Sequence, residues 1–195
     1  MATINGTTGP DNLFGTAGDD TITGGQGNDH AHMGAGNDIF VWNPGDGSDV
    51  VDGQTGFDTL LFNGALVNEV VSISAAKAGH ASFTRDVAAI AMNLDNVEAI
   101  TFNALGGADS ITVNDLVGTD VKRVTLDLGG ADGDIDVVNV VGSNAANTIN
   151  LTANAGHVVV SGLAEQVIVQ DTETIDALVV RGSGGNDKIN ASLLP

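Results

Sequence analysis

Single apolar residues recur at regular intervals along the first third of the chain, each flanked by small or polar residues. They are nine residues apart, with one interval of eleven, at Leu13, Ile22, Ala31, Phe40, Val51 and Leu60. One inward-facing side chain between outward-facing neighbours is the pattern of a very short β-strand. A nine-residue unit cannot bury its apolar side alone, so the units must stack. The pattern predicts a stack of short strands and tight turns from Gly6 to Leu61.

The predicted turns repeat the same residue types at fixed positions. Glycine occupies the fourth position of every unit, at Gly9, Gly18, Gly27, Gly36, Gly47 and Gly56. Glycine also opens four units, at Gly6, Gly15, Gly24 and Gly53, whereas Met33 and Pro44 open the other two. Repeated glycine marks backbone that needs positive φ or a close approach, as a tight turn does.

Aspartate occupies the sixth position of every unit, at Asp11, Asp20, Asp29, Asp38, Asp49 and Asp58. In a stack these carboxylates form columns, and neighbouring strands lie only about 4.8 Å apart. Unpaired carboxylates at that spacing would repel one another. A hard divalent cation removes the repulsion, and carboxylate and backbone carbonyl oxygens are the ligands that calcium prefers. The columns therefore predict Ca²⁺ as the cofactor.

The distribution of charge supports a need for cations. The chain holds 25 acidic and 6 basic residues, for a net charge of −19, and its first basic residue is Lys77. We expect the segment before it to repel itself and stay expanded without metal. The charge argues against a nucleic-acid partner, since phosphate binding needs basic residues. The chain has no cysteine, so calcium would take the place of disulfides.

The six units resemble the calcium-binding nonapeptide repeat of the RTX (haemolysin-type) family, with the pattern G-G-x-G-x-D-x-U-x. The resemblance implies a parallel β-roll in which consecutive units alternate sides, with each calcium between a turn and the next turn but one. It implies the carboxylate pairs Asp11 with Asp29, Asp20 with Asp38, Asp29 with Asp49, and Asp38 with Asp58. Thr7, Thr16 and Gln54 replace the second glycine, which ligation through backbone carbonyls tolerates.

Residues 63–195 predict further β-structure with a longer period. Related units begin at Ala104, Gly142 and Gly182, and each is followed by short β-branched runs. Asp109 and Asp187 are candidate calcium ligands there, although neither has a partner at a spacing of nine or eighteen residues. We expect an all-β chain, with a calcium β-roll at 1–62 continuing into a right-handed parallel β-solenoid at 63–195 with repeats of about 40 residues. The two parts could form one continuous domain.

The sequence offers little catalytic chemistry. It has no H-E-x-x-H zinc motif and no G-x-S-x-G nucleophile motif, so we predict no catalytic residues and no enzyme activity. His30 and His32 share a strand face, but no third metal ligand is apparent. A β-helix polysaccharide lyase or epimerase is a weaker alternative, because the chain lacks tyrosine and its basic residues are scattered.

The predicted function is that of an extracellular calcium-binding structural protein that folds, and assembles with itself head to tail, when calcium binds. The alternative is a non-catalytic calcium module of a larger secreted enzyme, toxin or adhesin. The first six residues lack the features of a classical signal peptide, which agrees with the family's type I secretion from bacteria. No apolar run approaches membrane-spanning length, so we expect a secreted or cell-surface protein without membrane insertion.

Overall fold

The computed structural model describes residues 1–154 and 156–194, and its regular secondary structure is almost all β-strand, arranged in two sheets. Ala155 and Pro195, both in the predicted second segment, lie outside the described residues. Sheet A has the spatial order β1 (Thr3–Asn5), β3 (Thr21–Thr23), β5 (Ile39–Trp42), β7 (Thr59–Asn63), β11 (Ala99–Asn103), β13 (Arg123–Asp127), β17 (Gln166–Gln170), β16 (His157–Ser161), β15 (Thr148–Asn154) and β19 (Lys188–Leu193). Sheet B has the order β18 (Ala177–Arg181), β14 (Val137–Val141), β12 (Ser110–Val113), β8 (Val70–Ala75), β9 (Ala81–Arg85), β10 (Ile90–Asp95), β6 (Val50–Asp52), β4 (His30–His32) and β2 (Asn12–Phe14).

The first seven strands alternate between the sheets, as the resemblance implied. Ile22 of β3 pairs in parallel register with Ile4 of β1 and with Phe40 of β5. The central residue of each three-residue strand from β2 onward is buried and its neighbours are more exposed. The predicted all-β class with parallel strands is confirmed. Both sheets continue past the predicted division at residue 62, since β7 pairs with β11.

Two antiparallel strands depart from the predicted purely parallel solenoid. In sheet B the chain passes through β8, β9 and β10 as a meander, and in sheet A it does the same through β15, β16 and β17. Short turns reverse the chain between the antiparallel strands of sheet B. One is a single 3₁₀ turn at Val87–Ala89. Each meander lengthens one coil, so that Thr59 of β7 and Ala99 of β11 pair 40 residues apart, whereas Ala99 and Arg123 of β13 pair 24 residues apart across a coil without a meander. The interval from Ala104 to Gly142 contains no meander, so the predicted repeats of about 40 residues are not equivalent coils.

An aromatic cluster fills the core where the coils begin to lengthen. The rings of Trp42 and Phe62 stack at 4.0 Å between centroids, and Phe83 and Phe102 pack beside them. Trp42 is fully buried, and its Nε1 donates a hydrogen bond of 2.8 Å to the carbonyl of Gly47. Trp42 and Asn43 are the two additional residues that make the interval before Val51 eleven residues long. Trp42 fills core volume, and the strands continue to pair on both sides of it.

Candidate metal centre

The aspartates stand in two ladders, one along each side of the stack. The N–H of Asp11 donates to Oδ1 of Asp29 at 2.8 Å, and the N–H of Asp20 donates to Oδ1 of Asp38 at 2.7 Å. The same bond joins Asp29 to Asp49 and Asp38 to Asp58, each at 2.8 Å. The structure thus brings together the four pairs expected from the resemblance, including the two that span the insertion.

The second carboxylate oxygen distinguishes four of these aspartates. Oδ2 of Asp29, Asp38, Asp49 and Asp58 is buried and has no hydrogen-bond partner in the described part of the chain. The four residues are at most 2% exposed. A buried carboxylate without a partner is costly, so these oxygens fit a cation and the donor set fits calcium.

Burial alters the acidity of the same groups. It raises the pKa of Asp49 to about 7 and that of Asp58 to about 6, and the carboxylates of Asp29 and Asp38 add to the effect. Burial also raises the pKa values of Asp29 and Asp38. Each shift reports that negative charge is disfavoured at these positions without a counter-ion.

The glycine columns fit around the carboxylates. A Cβ on Gly24 would collide with Oδ2 of Asp29, so the first position of this unit forms the floor of the carboxylate site. Gly36 has φ of +134°, and a Cβ there would meet the backbone of Gly18 and Asp19 in the adjacent coil. Glycine is thus required at Gly24, where the Asp29 carboxylate packs against the backbone, and at Gly36, where two coils are in contact.

Comparison with protein families agrees with this geometry. A family model described as the RTX calcium-binding nonapeptide repeat matches residues 5–40 and 45–61, in four copies. The first 61 residues carry RTX repeats. Repeats of this family bind Ca²⁺. No match to the chain was found among curated proteins, and none of the helices in residues 1–154 and 156–194 is long and apolar enough to cross a membrane.

The first two RTX units satisfy their carboxylates internally. Thr7 donates its N–H at 2.6 Å and its hydroxyl at 2.9 Å to Oδ2 of Asp11. Thr16 does the same to Asp20 at 2.6 and 2.7 Å, and its hydroxyl bond leads the interactions that lower the pKa of Asp20. We expected threonine in place of the second glycine to be tolerated, because calcium would be bound by the backbone carbonyl. The threonine hydroxyl also donates a hydrogen bond to the carboxylate, which changes the environment of that ligand.

The structure contains further ladder members outside the six RTX units, and of these only Asp109 was among the predicted ligands. The N–H groups of Glu69, Asp109 and Asp136 donate to the carboxylates of Asp109, Asp136 and Asp176 at 2.7, 2.8 and 3.1 Å. Glu98 likewise accepts the N–H of Asp58 at 2.7 Å. Asp109 has no partner at a spacing of nine or eighteen residues, but it has stacked partners 40 and 27 residues away.

Asp187 also has a partner at long spacing. Its Oδ1 accepts the N–H of Asn147 at 2.9 Å, 40 residues away. Asn147 in turn donates its side-chain amide to Ser143 at 3.0 Å. The spacing of 40 residues was the signal in the sequence that could have identified both the Asn147–Asp187 pair and the Glu69–Asp109 pair. A coil that contains a meander adds two further strands to one sheet, and it is longer in sequence than a coil without one.

One ladder member carries its own counter-charge. The guanidinium of Arg85 donates through both Nε and Nη2 to Oε1 of Glu69, and both side chains are buried. Arg85 also lies 5.5 Å from the ring centre of Trp42. A guanidinium here supplies the positive charge that a metal ion would supply in the RTX turns.

In residues 1–154 and 156–194, no three His, Cys, Asp or Glu side chains form a group that could hold a metal ion through side chains alone. The rings of His30 and His32 lie 4.2 Å apart, and Nδ1 of His32 is 3.6 Å from Asp52. Calcium in RTX turns would combine carboxylates with backbone carbonyls instead.

A buried carboxyl outside the ladders predicts a pH effect. Glu165 is 2% exposed, neither carboxylate oxygen has a partner among the described residues, and burial followed by the charge of Asp115 raises its pKa to about 7. Because the folded chain holds the Glu165 proton more tightly than the unfolded chain does, this group favours folding at pH values below its unfolded pKa. The contribution is lost as pH rises through about 7, the folded pKa. We expect Glu165→Gln to raise the urea midpoint relative to wild type at pH 8, with little difference at pH 5. Measurements in saturating calcium keep other carboxylates constant, and an equal difference at both pH values would contradict the assignment.

Proposed function

We propose that this chain is an extracellular structural protein that calcium converts from an expanded acidic chain into a rigid β-stack. The observation that carries the proposal is the row of buried Oδ2 atoms without partners on Asp29, Asp38, Asp49 and Asp58 in the described part of the chain. We assign these four as the principal ligands in the RTX segment, with carbonyl oxygens of the glycine-rich turns completing each site. Asp11 and Asp20 contribute less, because Thr7 and Thr16 already satisfy them.

The typical affinity of extracellular calcium modules and the charge of this chain both support an extracellular setting. Extracellular calcium modules bind with Kd on the order of 10⁻⁴ to 10⁻³ M. The segment before Lys77 contains acidic residues and no Lys or Arg, so it resists compaction where free calcium is scarce. Binding then couples to folding, and the chain would become ordered after leaving the cell.

Asp38→Asn tests the ligand assignment. Oδ1 of Asp38 accepts the backbone N–H of Asp20, and the backbone N–H of Asp38 donates to Oδ1 of Asp58, so the Asp38 carboxylate lies in the middle of one ladder. We expect at least one fewer bound calcium ion per chain by isothermal titration calorimetry. Asp120→Asn, an identical charge change at an exposed residue, is the matched control. Equal stoichiometry in both variants would refute the assignment.

Head-to-tail assembly into a surface layer, matrix or filament is the further part of this proposal. Both sheets are open, with β1 and β2 at one end and β18 and β19 at the other. Ile189 and Leu193 on β19 are 49% and 64% exposed, and uncovered strand edges template association. Contacts of this kind do not close and so give filaments. Sedimentation velocity in millimolar calcium should show concentration-dependent growth, and a stable monomer would reject assembly.

A further inference from the structure

We propose that the last strand of one copy replaces the first strand of the next copy, so that β19 occupies the position of β1 against β3. The inference rests on the proposed head-to-tail assembly and specifies which strands join two copies. In the free chain β1 pairs with the edge of β3, and a second copy would displace it when it binds. Exchange of equivalent elements between copies is a low-cost route to association.

The order of the strands favours this exchange over simple contact between β1 and β19. Strands alternate between the sheets at both ends of the stack, with β1, β3 and β19 in sheet A and β2 and β18 in sheet B. Pairing of β19 with β1 of a second copy would leave sheet B one strand short at the junction. Pairing of β19 with β3 and of β18 with β2 preserves the alternation. Sheet A has ten strands and sheet B has nine, so each sheet contributes nine once β1 is displaced.

The two strands match in sequence and in register. β1 has the sequence Thr-Ile-Asn, and β19 begins with Lys-Ile-Asn. Ile4 of β1 pairs with Ile22 of β3, and Ile189 of β19 holds the same position against Ile149 of β15. The exchange therefore places an inward-facing isoleucine against Ile22, as β1 does in the free chain.

The residue before each strand can make the same backbone hydrogen bonds. The N–H of Ala2 donates to Oδ1 of Asp20 at 2.5 Å, and the N–H of Thr21 donates to the carbonyl oxygen of Ala2 at 2.9 Å. Asp187 precedes β19, so its N–H and carbonyl oxygen would replace those of Ala2. Its Oδ1 already accepts the N–H of Asn147 at 2.9 Å within its own copy. The carboxylate ladder would then continue from one copy into the next, whereas it ends at Ala2 in the free chain.

The exposed end of the core shows what the exchange would bury. Ile189 is 49% exposed although its partner Ile149 is fully buried, and Leu178 of β18 is only partly buried. A second copy would cover both side chains, which favours association. It would form two strand pairs, β18 with β2 and β19 with β3, and break only the pair of β1 with β3. β1 is three residues long, and only Ile4 within it is partly buried, so little stabilisation is lost when it leaves.

Matched substitutions in the two strands test the exchange. We expect Ile4→Ser to assemble in millimolar calcium at about tenfold lower protein concentration than wild type, because it weakens the strand that competes for the edge of β3. Ile189→Ser, the same change at the equivalent position, should need about tenfold higher concentration. Sedimentation velocity measures both values, and circular dichroism in calcium checks that each variant folds. Simple contact between β1 and β19 predicts instead that both substitutions weaken assembly.

A cross-link between two single-cysteine variants identifies the neighbour of β19 directly. The chain has no cysteine. Asn5 pairs with Thr23, so Asn190 in the position of Asn5 would lie beside Thr23 of the other copy. We expect a short thiol-reactive cross-linker to join Asn190→Cys to Thr23→Cys in a mixture of the two proteins. Asn190→Cys mixed with Asn5→Cys is the matched control and should give less product.

The outcomes separate this inference from the proposed function. Weaker assembly of Ile4→Ser than of wild type, or a cross-link of Asn190→Cys to Asn5→Cys in place of Thr23→Cys, would overturn the exchange and leave head-to-tail assembly intact. If wild type and Ile4→Ser both remained monomeric, assembly and the exchange would be overturned together. Calcium binding would still be decided separately by Asp38→Asn.

Discussion

Removal of calcium with EDTA should abolish most of the β-structure of the first 61 residues. Four buried carboxylates there have an oxygen without a partner among the described residues. Each independent site contributes about 2.7 kcal/mol when free calcium is one hundred times its Kd. Four such sites therefore contribute on the order of 11 kcal/mol, comparable to the whole stability of a typical domain, about 5–15 kcal/mol.

Circular dichroism during a calcium titration measures this effect directly. The far-ultraviolet β signal should rise cooperatively with calcium and fall when EDTA is added in excess. Magnesium is the control, because it prefers a smaller, near-octahedral site and gives up its water reluctantly. A β signal that is the same in EDTA and in calcium would refute the central role of the metal.

Arg85→Ala should destabilise the chain by about 3–5 kcal/mol, because it leaves the buried carboxylate of Glu69 without its counter-charge. The change should appear as a lower urea midpoint in saturating calcium. Arg85 also packs over Trp42, so loss of volume adds to loss of charge.

A double variant separates these two contributions. Glu69→Gln with Arg85→Met removes both charges while keeping similar volume. The amide oxygen introduced by Glu69→Gln can still accept the N–H of Ala65, which the wild-type carboxylate accepts. We expect the double variant to be clearly more stable than Arg85→Ala, since no buried charge remains unpaired. If both variants lose the same stability, the ion pair is not the cause.

Sequence reasoning succeeded where local pattern and spacing coincide. The isolated apolar residues from Leu13 to Leu60 predicted the strands, and the resemblance to the RTX repeat implied which aspartates meet. It did not predict that β9 and β16 run antiparallel to their neighbours, because alternating apolar residues look the same in parallel and antiparallel strands. The partners of Asp109 were missed since the meanders make the spacing irregular, and the hydroxyls of Thr7 and Thr16 were missed as donors because the period describes position and not hydrogen bonding.

The ion pair at Arg85 has a consequence for the order in which the stack forms. The β8–β10 meander is closed by short connections and carries its own counter-charge, so it can become ordered before metal arrives. Its strand β10 then offers a finished edge to β6, which pairs with it in register. Coils would add from this template towards the N-terminus as calcium binds, because each repeat contacts only its neighbours. Growth of the calcium-bound segment would thus run opposite to the direction of synthesis.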